Sequence, residues 1–207
     1  MTQRFQVHPE HPQPRLIRQA AGILRRGGVI AYPTDSAYAL GCLVGDPEAM
    51  AVLRRLRGVD EKHHLTLVCA NLADLGRYAR VDNSAFRVLK RGVPGPYTFI
   101  LEGTRELPKR VLHPRRATVG LRVPDHPVVQ ALLEALAAPL LSATAIAPGE
   151  TEPIHEPDEI TARFNRDLAL IIDAGACPGE ATTVVDLTGD TPEVVRTGKG
   201  SLAALGL

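Results

Sequence analysis

Short apolar runs alternate with segments of helical periodicity along this chain, and the alternation predicts its elements. The first run, residues 29–32, is rich in β-prone side chains. It follows the Gly27-Gly28 pair and stops at Pro33, which has no N–H for a sheet. Seven further runs are predicted to be strands, at residues 65–69, 97–101, 118–124, 139–145, 168–172, 182–187 and 193–196.

Most segments between these runs carry apolar residues at three- and four-residue spacing, as amphipathic helices do. Helices are predicted at residues 16–24, 46–58, 71–75, 83–89, 128–136 and 158–164. In the fourth of these, Phe86 and Leu89 are expected to face the core. Strands separated by helices, with a hairpin over the last two strands, predict an α/β fold with a mixed sheet.

The domain boundaries follow from length and from the positions of proline. Residues 1–14 contain three prolines and are predicted to form an extended arm. Residues 15–200 are predicted to form a single domain, because the 207-residue chain has no repeat and no linker of low complexity. Residues 201–207 remain as a C-terminal tail.

The near-neutral net charge of +1 hides a strongly asymmetric distribution. Between Arg54 and Arg122 there are 15 basic residues against six acidic ones, a net charge of +9, whereas the rest of the chain carries −8. Such a segment points to an anionic partner, either a nucleotide or a nucleic acid. The alternative is a solvated basic face without a ligand.

The number of cysteines and the hydropathy of the chain indicate the cellular compartment in which the protein is expected. The three cysteines are far apart and form no C-x-x-C pair, which favours a reducing, cytoplasmic compartment. No stretch approaches the roughly 18 apolar residues of a membrane span, so no membrane partner is expected.

The loop after the first run is the first candidate site. Thr34, Asp35, Ser36 and Tyr38 follow an apolar strand within five residues, where open α/β sheets place their ligands. The alternative is that these hydroxyls only cap a helix or close a turn.

Other strand ends carry the same kinds of side chain. Hydroxyls and arginines recur there, and such a set binds anions through guanidinium and hydroxyl groups. Catalysis by this set would rely on positioning and charge stabilisation. The set comprises Thr34, Ser36, Ser142, Thr144, Thr182, Thr183, Arg55, Arg57, Arg122 and Arg196. For Arg55 and Arg57 the alternative is solvation at a helix end. No metal site formed by protein side chains is expected, because His63 and His64 are adjacent and have no third ligand at suitable spacing.

Several motifs in order resemble the YrdC/YciO family over nearly the whole chain. PTDSAYALG resembles its P-T-[DE]-[ST]-x-Y-G-L motif, and RLRGVDEKHHLTL resembles its K-x-R-P segment with the strand that follows. GPYTFIL, VGLRVPDHP, LLSATA and TTVVDLTGDTPEVVRTG match further blocks. The PTDS-x-YALGC form and the VDN-x-AFR and YTFIL-x-GT stretches are most similar to the YciO branch.

The resemblance implies a twisted mixed sheet flanked by helices around a large, basic, concave cavity. Family enzymes condense L-threonine, bicarbonate and ATP into threonylcarbamoyl-AMP and pyrophosphate for tRNA modification. It therefore implies ATP or AMP as ligand, with Mg²⁺ bound through the nucleotide phosphates, and tRNA or double-stranded RNA as a further partner.

Matched residue by residue, Thr34 and Arg122 would bind threonine, with Arg122 as the carboxylate partner. Ser36 and Tyr38 belong to the same substrate-binding loop. The ATP side would be lined by Arg55, Arg57, Ser142, Thr144, Thr182 and Arg196, of which Arg55, Arg57, Ser142 and Thr144 are the expected catalytic residues.

Two departures from the family pattern predict weak or altered activity. Arg55 stands where the family has a flexible lysine, and Ile146 stands where it has an asparagine that can donate a hydrogen bond. A synthase-like nucleotide-binding enzyme is therefore the first hypothesis. A non-catalytic protein that binds double-stranded RNA, tRNA or ribosome-associated RNA is the alternative.

Overall fold

One mixed sheet organises the fold, and each of its faces is covered by helices. The computed structural model describes residues 2–60 and 63–207, so Met1, at the start of the predicted arm, and Glu61 and Lys62, between the helix predicted over residues 46–58 and the strand predicted over residues 65–69, lie outside the described residues. The ten strands are β1 (Gln3–Gln6), β2 (Ile30–Tyr32), β3 (Ala39–Leu43), β4 (Thr66–Val68), β5 (Tyr97–Glu102), β6 (Thr118–Arg122), β7 (Leu140–Thr144), β8 (Leu170–Asp173), β9 (Thr183–Asp186) and β10 (Glu193–Arg196). Their order across the sheet is β1-β8-β2-β3-β7-β4-β6-β5-β9-β10.

Seven helices connect these strands within the described part of the chain. They are α1 (Pro14–Arg25), α2 (Pro47–Arg57), α3 (Leu72–Tyr78), α4 (Asn83–Gly92), α5 (Pro127–Leu136), α6 (Pro157–Phe164) and α7 (Leu202–Leu205). The basic connection between β5 and β6 contains only one 3₁₀ turn, Lys109–Val111, because prolines interrupt it. No helix among the described residues is long and apolar enough to cross a membrane.

Apolar side chains on the two faces of the sheet form two separate hydrophobic clusters. One cluster contains the buried faces of α1 and α5, and the other contains those of α2, α3, α4, α6 and α7. The alternation of side chains along each strand feeds both clusters: Ile30 and Tyr32 enter the first, and Ala31 enters the second. The sheet is therefore the middle layer of the predicted α/β fold.

Local chemistry explains the helix boundaries that the sequence predicts well. Asp46 accepts hydrogen bonds from the N–H groups of Glu48 and Ala49, and Pro47 occupies the first helical position of α2. The helix ends at Gly58, whose φ of 67° is the left-handed conformation that glycine adopts readily. The final hairpin is confirmed as well, since β9 and β10 pair antiparallel.

Two strands were not predicted. β3 pairs antiparallel with β2 on one side and with β7 on the other, so the polar loop leads into a strand rather than a helix. Its sequence ALGCL has little β-branching, and its strand conformation comes from pairing on both edges. β1 was predicted only as extended arm, but it pairs in parallel with β8.

Both chain ends are packed on the domain. Val7, in the predicted arm, is buried, and its N–H donates to Asp173 O at 2.7 Å. Leu205, in the predicted tail, is fully buried and belongs to the hydrophobic cluster that includes α4. The inward orientation expected for Phe86 is wrong: its side chain is 46% exposed, whereas Leu89 is buried.

Candidate functional site

A narrow cleft, about 20 Å³ in volume, lies where β4, β5, β6 and β7 meet the loop after β2. It is lined by Ser36, Ala37, Tyr38, Ala39, Thr66, Val68, Thr98, Arg122, Ser142, Ala143, Thr144 and Thr182. Six of the site residues predicted from the sequence are in this lining: Ser36, Tyr38, Arg122, Ser142, Thr144 and Thr182. Strand pairing brings them together, since Thr66 of β4 lies opposite Ser142 of β7.

Thr34 shapes the loop that forms one wall of the cleft. Its Oγ1 accepts hydrogen bonds from the N–H groups of Ser36 and Ala37 at 3.1 and 3.3 Å, and it donates to Ala37 O at 2.6 Å. The hydroxyl thus closes a turn, one of the two alternatives considered from sequence, and no helix follows. Thr34 sets the position of Ser36 at the cleft.

Arg122 is the buried cation of the site. It ends β6, and its Nη2 donates to Ser36 Oγ at 3.0 Å and to Thr34 Oγ1 at 3.3 Å. The same nitrogen forms an ion pair with Asp35, and the two side chains are only 8% and 10% exposed. Asp35 also accepts from the N–H of Asp125 at 3.1 Å. The Arg122 Nε is buried and has no hydrogen-bond partner among the described residues.

Ser142 is held in place by two hydrogen bonds. Its Oγ donates to Leu40 O at 3.0 Å, so in the 2.7 Å contact with Tyr32 the phenol must be the donor. Complete burial raises the pKa of Tyr32 to about 12, which keeps this donor protonated at neutral pH. The Ser142 hydroxyl is therefore committed to the protein itself.

Tyr38 lines the cleft with its ring, but its hydroxyl points elsewhere. The phenol donates to Gly175 O at 2.9 Å and accepts a longer contact from the N–H of Ala174. Burial raises its pKa well above the usual value. This geometry makes Tyr38 a wall of the cleft.

Thr182 and Arg196 close the far side. Arg196 donates through Nε and Nη2 to Thr182 O at 3.1 and 2.9 Å, and its Nη2 also reaches Thr182 Oγ1 at 3.1 Å. Thr182 Oγ1 in turn lies 3.0 Å from Thr98 Oγ1. Partial burial lowers the pKa of Arg196. Arg196 therefore sits at the rim, adjacent to the lining.

Two lining hydroxyls have no side-chain hydrogen bond among the described residues: those of Thr66 and Thr144. Thr144 was predicted and Asp35 belongs to the predicted candidate loop, whereas Thr66 and Thr98 were not assigned to the site. Thr66 and Thr98 belong to β4 and β5. Thr66 could have been identified only from the strand register, which places it opposite Ser142. An unpartnered hydroxyl in a cleft is available to a ligand.

Arg57 and Arg55 end α2 but differ in surroundings. Arg57 is half-buried, and burial lowers its pKa. The pKa of His63 is lowered by burial and then by the positive charges of Arg57 and Arg54, so these groups are close to one another. Arg55 is 67% exposed and pairs with Asp167 at 3.3 Å. Neither arginine contributes to the lining of the cleft itself.

Carboxylates are scarce at this site. No group of three or more His, Cys, Asp or Glu side chains in the described ranges is placed to hold a metal ion. Asp35, the carboxylate next to the cleft, is engaged by Arg122 and by the Asp125 N–H. The arrangement is therefore suited to anions, through one buried guanidinium, several hydroxyls and cations at the rim.

Comparisons with known proteins place the chain in a family. The Sua5/YciO/YrdC family model, described as telomere recombination, matches residues 22–198. The chain therefore belongs to this family.

Particular relatives are similar over different shares of their length. The YciO protein of Escherichia coli, described as uncharacterized, is 50% identical over 98% of both chains, and its crystal structure superposes with a TM-score of 0.96. A threonylcarbamoyl-AMP synthase of Halorhodospira halophila is 33% identical over 79% of this chain and 85% of the relative. The structure of P. abyssi Sua5 complexed with L-threonine is 28% identical, with a TM-score of 0.88 over 95% of this chain and 58% of that one. The twisted mixed sheet predicted from the sequence is confirmed.

Proposed function

We propose that the cleft binds L-threonine and ATP and that, with bicarbonate, the protein forms threonylcarbamoyl-AMP and releases pyrophosphate. The observation that carries the proposal is Arg122, a buried guanidinium with an unpartnered Nε beside two hydroxyls. It lies in a chain whose relatives include a named threonylcarbamoyl-AMP synthase and a Sua5 complexed with L-threonine. Together these favour an amino-acid carboxylate as the group that Arg122 binds.

A carboxylate would complete the hydrogen bonding of Arg122. A guanidinium binds a carboxylate through two parallel N–H bonds, and Nε is one of the donors that can take part. Asp35, Ser36 and Thr34 all engage Nη2, so Nε and Nη1 are the donors of Arg122 that remain for the substrate among the described contacts. Because the pair is nearly dry, the attraction for a carboxylate is stronger than in water. Thr34 and Ser36 support the loop that defines this half of the cleft.

The nucleotide is assigned to the other half. In the reaction the threonine amine adds to bicarbonate with loss of water, and a carbamate oxygen attacks the α-phosphorus while pyrophosphate leaves. Negative charge then increases on the leaving oxygens, and preorganised donors stabilise it. Thr144 and Thr182 offer hydroxyls, and Arg57 and Arg196 supply positive charge at the rim. Ser142 and Tyr38 form walls of the cleft. Arg55 would have to break its ion pair with Asp167 before it could contact the nucleotide.

The lining fits a magnesium ion only when the ion arrives with phosphates. Mg²⁺ prefers oxygen ligands in an octahedral shell and keeps several waters, and the lining offers hydroxyls without a free carboxylate. When bound to the phosphates, the ion would neutralise part of their charge. The chain's own contribution is to orient those phosphates with Thr144, Thr182 and the rim arginines.

The activity is proposed to be weak or altered compared with the family enzymes. Ile146 is buried and apolar, so it offers no donor where the family has an asparagine. Arg55 replaces a lysine and is engaged with Asp167. Loss of one donor to developing charge typically costs about 10²–10³ in rate.

Location and an RNA partner are part of the same proposal. Cys42, Cys69 and Cys177 are free and buried, which suits a reducing cytoplasm. A threonylcarbamoyl-AMP product would be consumed by transfer to tRNA, and the +9 segment supports an encounter with RNA phosphates. Binding of tRNA or double-stranded RNA by this chain stays a prediction.

The test is a calorimetric titration with ATP and Mg²⁺, with and without L-threonine and bicarbonate, together with an assay of pyrophosphate release. We expect ATP binding and release that needs both threonine and bicarbonate. Arg122→Ala should abolish the threonine dependence, whereas Arg80→Ala, at an exposed ion pair with Glu102, should leave it intact. No binding of ATP at millimolar concentration, with no threonine-dependent release, would overturn the proposal.

A further inference from the structure

The segment that follows β10 carries a lysine across the mouth of the cleft. The backbone around Lys199 is anchored on the stretch before β9: its N–H donates to Ala181 O at 2.9 Å, and the N–H of Gly198 donates to Thr183 Oγ1 at 2.9 Å. Thr183 donates in turn to Gly200 O at 2.6 Å. The backbone of Lys199 is therefore fixed beside Thr182, a lining residue.

Two glycines make this close approach possible. A Cβ on Gly198 would collide with the backbone of Ala181 and Thr182, and a Cβ on Gly200 would collide with the ring of Tyr97. Lys199 is placed between them in a stretch with no space for side chains against the sheet, so its own side chain extends outward.

The side chain of Lys199 reaches the opposite wall. Its Nζ donates to the backbone oxygen of Asp35 at 2.6 Å, and Asp35 precedes the lining residue Ser36. The lysine thus bridges the Thr182 wall and the Ser36 wall. Both walls belong to the cleft that contains Arg122.

The ammonium group of Lys199 is poorly neutralised by the protein. It forms none of the ion pairs found among the described residues, and its hydrogen-bond partner is a neutral carbonyl. The Asp35 carboxylate is engaged by Arg122 and the Asp125 N–H. Two further N–H donors of the ammonium remain for an anion, and lysine is a flexible point charge that can follow it.

We propose that Lys199 is a substrate-binding residue that contacts the phosphate chain of the nucleotide at the mouth of the cleft. This inference rests on the proposed function, because it assigns a residue to the nucleotide half of the same site. On binding, a free N–H group of the ammonium donates to a phosphate oxygen while the contact with the Asp35 carbonyl is kept. The side chain thereby closes the mouth over the ligand.

The test compares Lys199→Met, Lys199→Arg and the control Lys90→Met, which removes an exposed lysine on α4, away from the cleft. Each variant is titrated with ATP and with adenosine. A charged hydrogen bond of this kind is worth about tenfold or more in affinity. We expect Lys199→Met to weaken ATP binding by roughly that factor and adenosine binding hardly at all. Lys199→Arg should retain most of the affinity for ATP, and Lys90→Met should bind like the wild type.

The outcomes separate this inference from the proposed function. Failure of the wild type to bind ATP would remove the proposed function itself. ATP binding that is equally tight in the wild type and in Lys199→Met would overturn only the role of Lys199. Equal weakening of ATP and adenosine would also overturn it, because that pattern indicates a structural strap without contact to phosphate. Urea denaturation of each variant identifies any loss of folding.

Discussion

The two halves of the cleft are built in opposite ways. On the Arg122 half, side chains are buried, and Thr34, Asp35 and Ser36 each accept a hydrogen bond from Arg122. On the nucleotide half, Thr144 has no side-chain partner among the described residues and Lys199 holds only a carbonyl. The first half is preorganised for one small ligand. The nucleotide half has hydrogen-bond donors that the protein itself does not use fully. A larger anion could accept hydrogen bonds from them.

Removal of Arg122 is expected to have the largest effect, because it leaves Asp35 buried without its cation. Arg122→Ala should lower the free energy of unfolding by about 3–5 kcal/mol, as breaking a buried ion pair does. The exposed pair of Arg80 and Glu102 is the control, and Arg80→Ala should cost about 1 kcal/mol or less. Urea denaturation measures the unfolding free energy of both variants. Equal losses would contradict the claim that the Arg122 half is preorganised by a buried ion pair.

The two hydroxyl residues of β7 should affect different properties. Removal of the Ser142 hydroxyl should lower stability, and removal of the Thr144 hydroxyl should weaken ligand binding. Ser142→Ala leaves Leu40 O without its side-chain donor and the Tyr32 phenol without its acceptor, at a cost of about 1–3 kcal/mol of unfolding free energy. Thr144→Ala should change stability by less than about 0.5 kcal/mol. Its expected effect is on ATP affinity, measured by calorimetry. A larger loss of stability for Thr144→Ala than for Ser142→Ala would reverse the assignment.

The two arginines that end α2 should differ in nucleotide binding. Arg57→Ala should weaken ATP binding by about tenfold, since Arg57 is half-buried near His63 at the rim. Arg55→Ala should weaken it by about twofold, because Arg55 is exposed and paired with Asp167. Titration of both variants with ATP checks the order. A larger loss for Arg55→Ala would mean that this side chain moves into the site on binding.

Acid should destabilise the Arg122 half through His126. Its Nδ1 accepts from the N–H of Val128 at the start of α5, and burial, then Arg122, lower its pKa below 6.5. The unfolded chain therefore takes up the proton first, so this contribution to stability is present above pH 6.5 and declines as the pH falls through the folded pKa.

His126→Asn keeps a capping oxygen but does not titrate. Urea denaturation across this pH range should show a shallower loss of stability in the variant than in the wild type. Identical slopes would show that the titration of His126 has no part in the acid sensitivity.

Much of the fold could be predicted because local chemistry specifies it. The Asp46-Pro47 start and Gly58 end of α2, and the stop of β2 before Pro33, depend on residues adjacent in sequence. β3 was missed because its conformation depends on pairing with β2 and the distant β7. Phe86 was misplaced because periodicity alone does not show which positions at the edge of a helix are covered.

The same distinction between local and long-range interactions applies to the residues of the candidate site. Arg122 could be identified because a charged residue at the end of an apolar strand is costly to bury without a partner, and this indicates a functional role. Thr66 could not, because its proximity to Ser142 comes from strand register. Asp35 belongs to the predicted candidate loop, but its ion pair with Arg122 forms only in the tertiary structure. Lys199 was missed for the same reason, since its partner Asp35 is 164 residues away.

The central claim is that Arg122 binds the carboxylate of threonine, and a pair of ligands tests it most directly. Calorimetric titration of the wild type with L-threonine and with L-threoninamide, in the presence of ATP, Mg²⁺ and bicarbonate, compares two ligands that differ at the carboxylate. The account predicts binding of L-threonine and at least about a tenfold loss for the amide, since a charged pair in a dry site is replaced by a neutral contact. Equal affinities for the two ligands, or no binding of threonine, would contradict it.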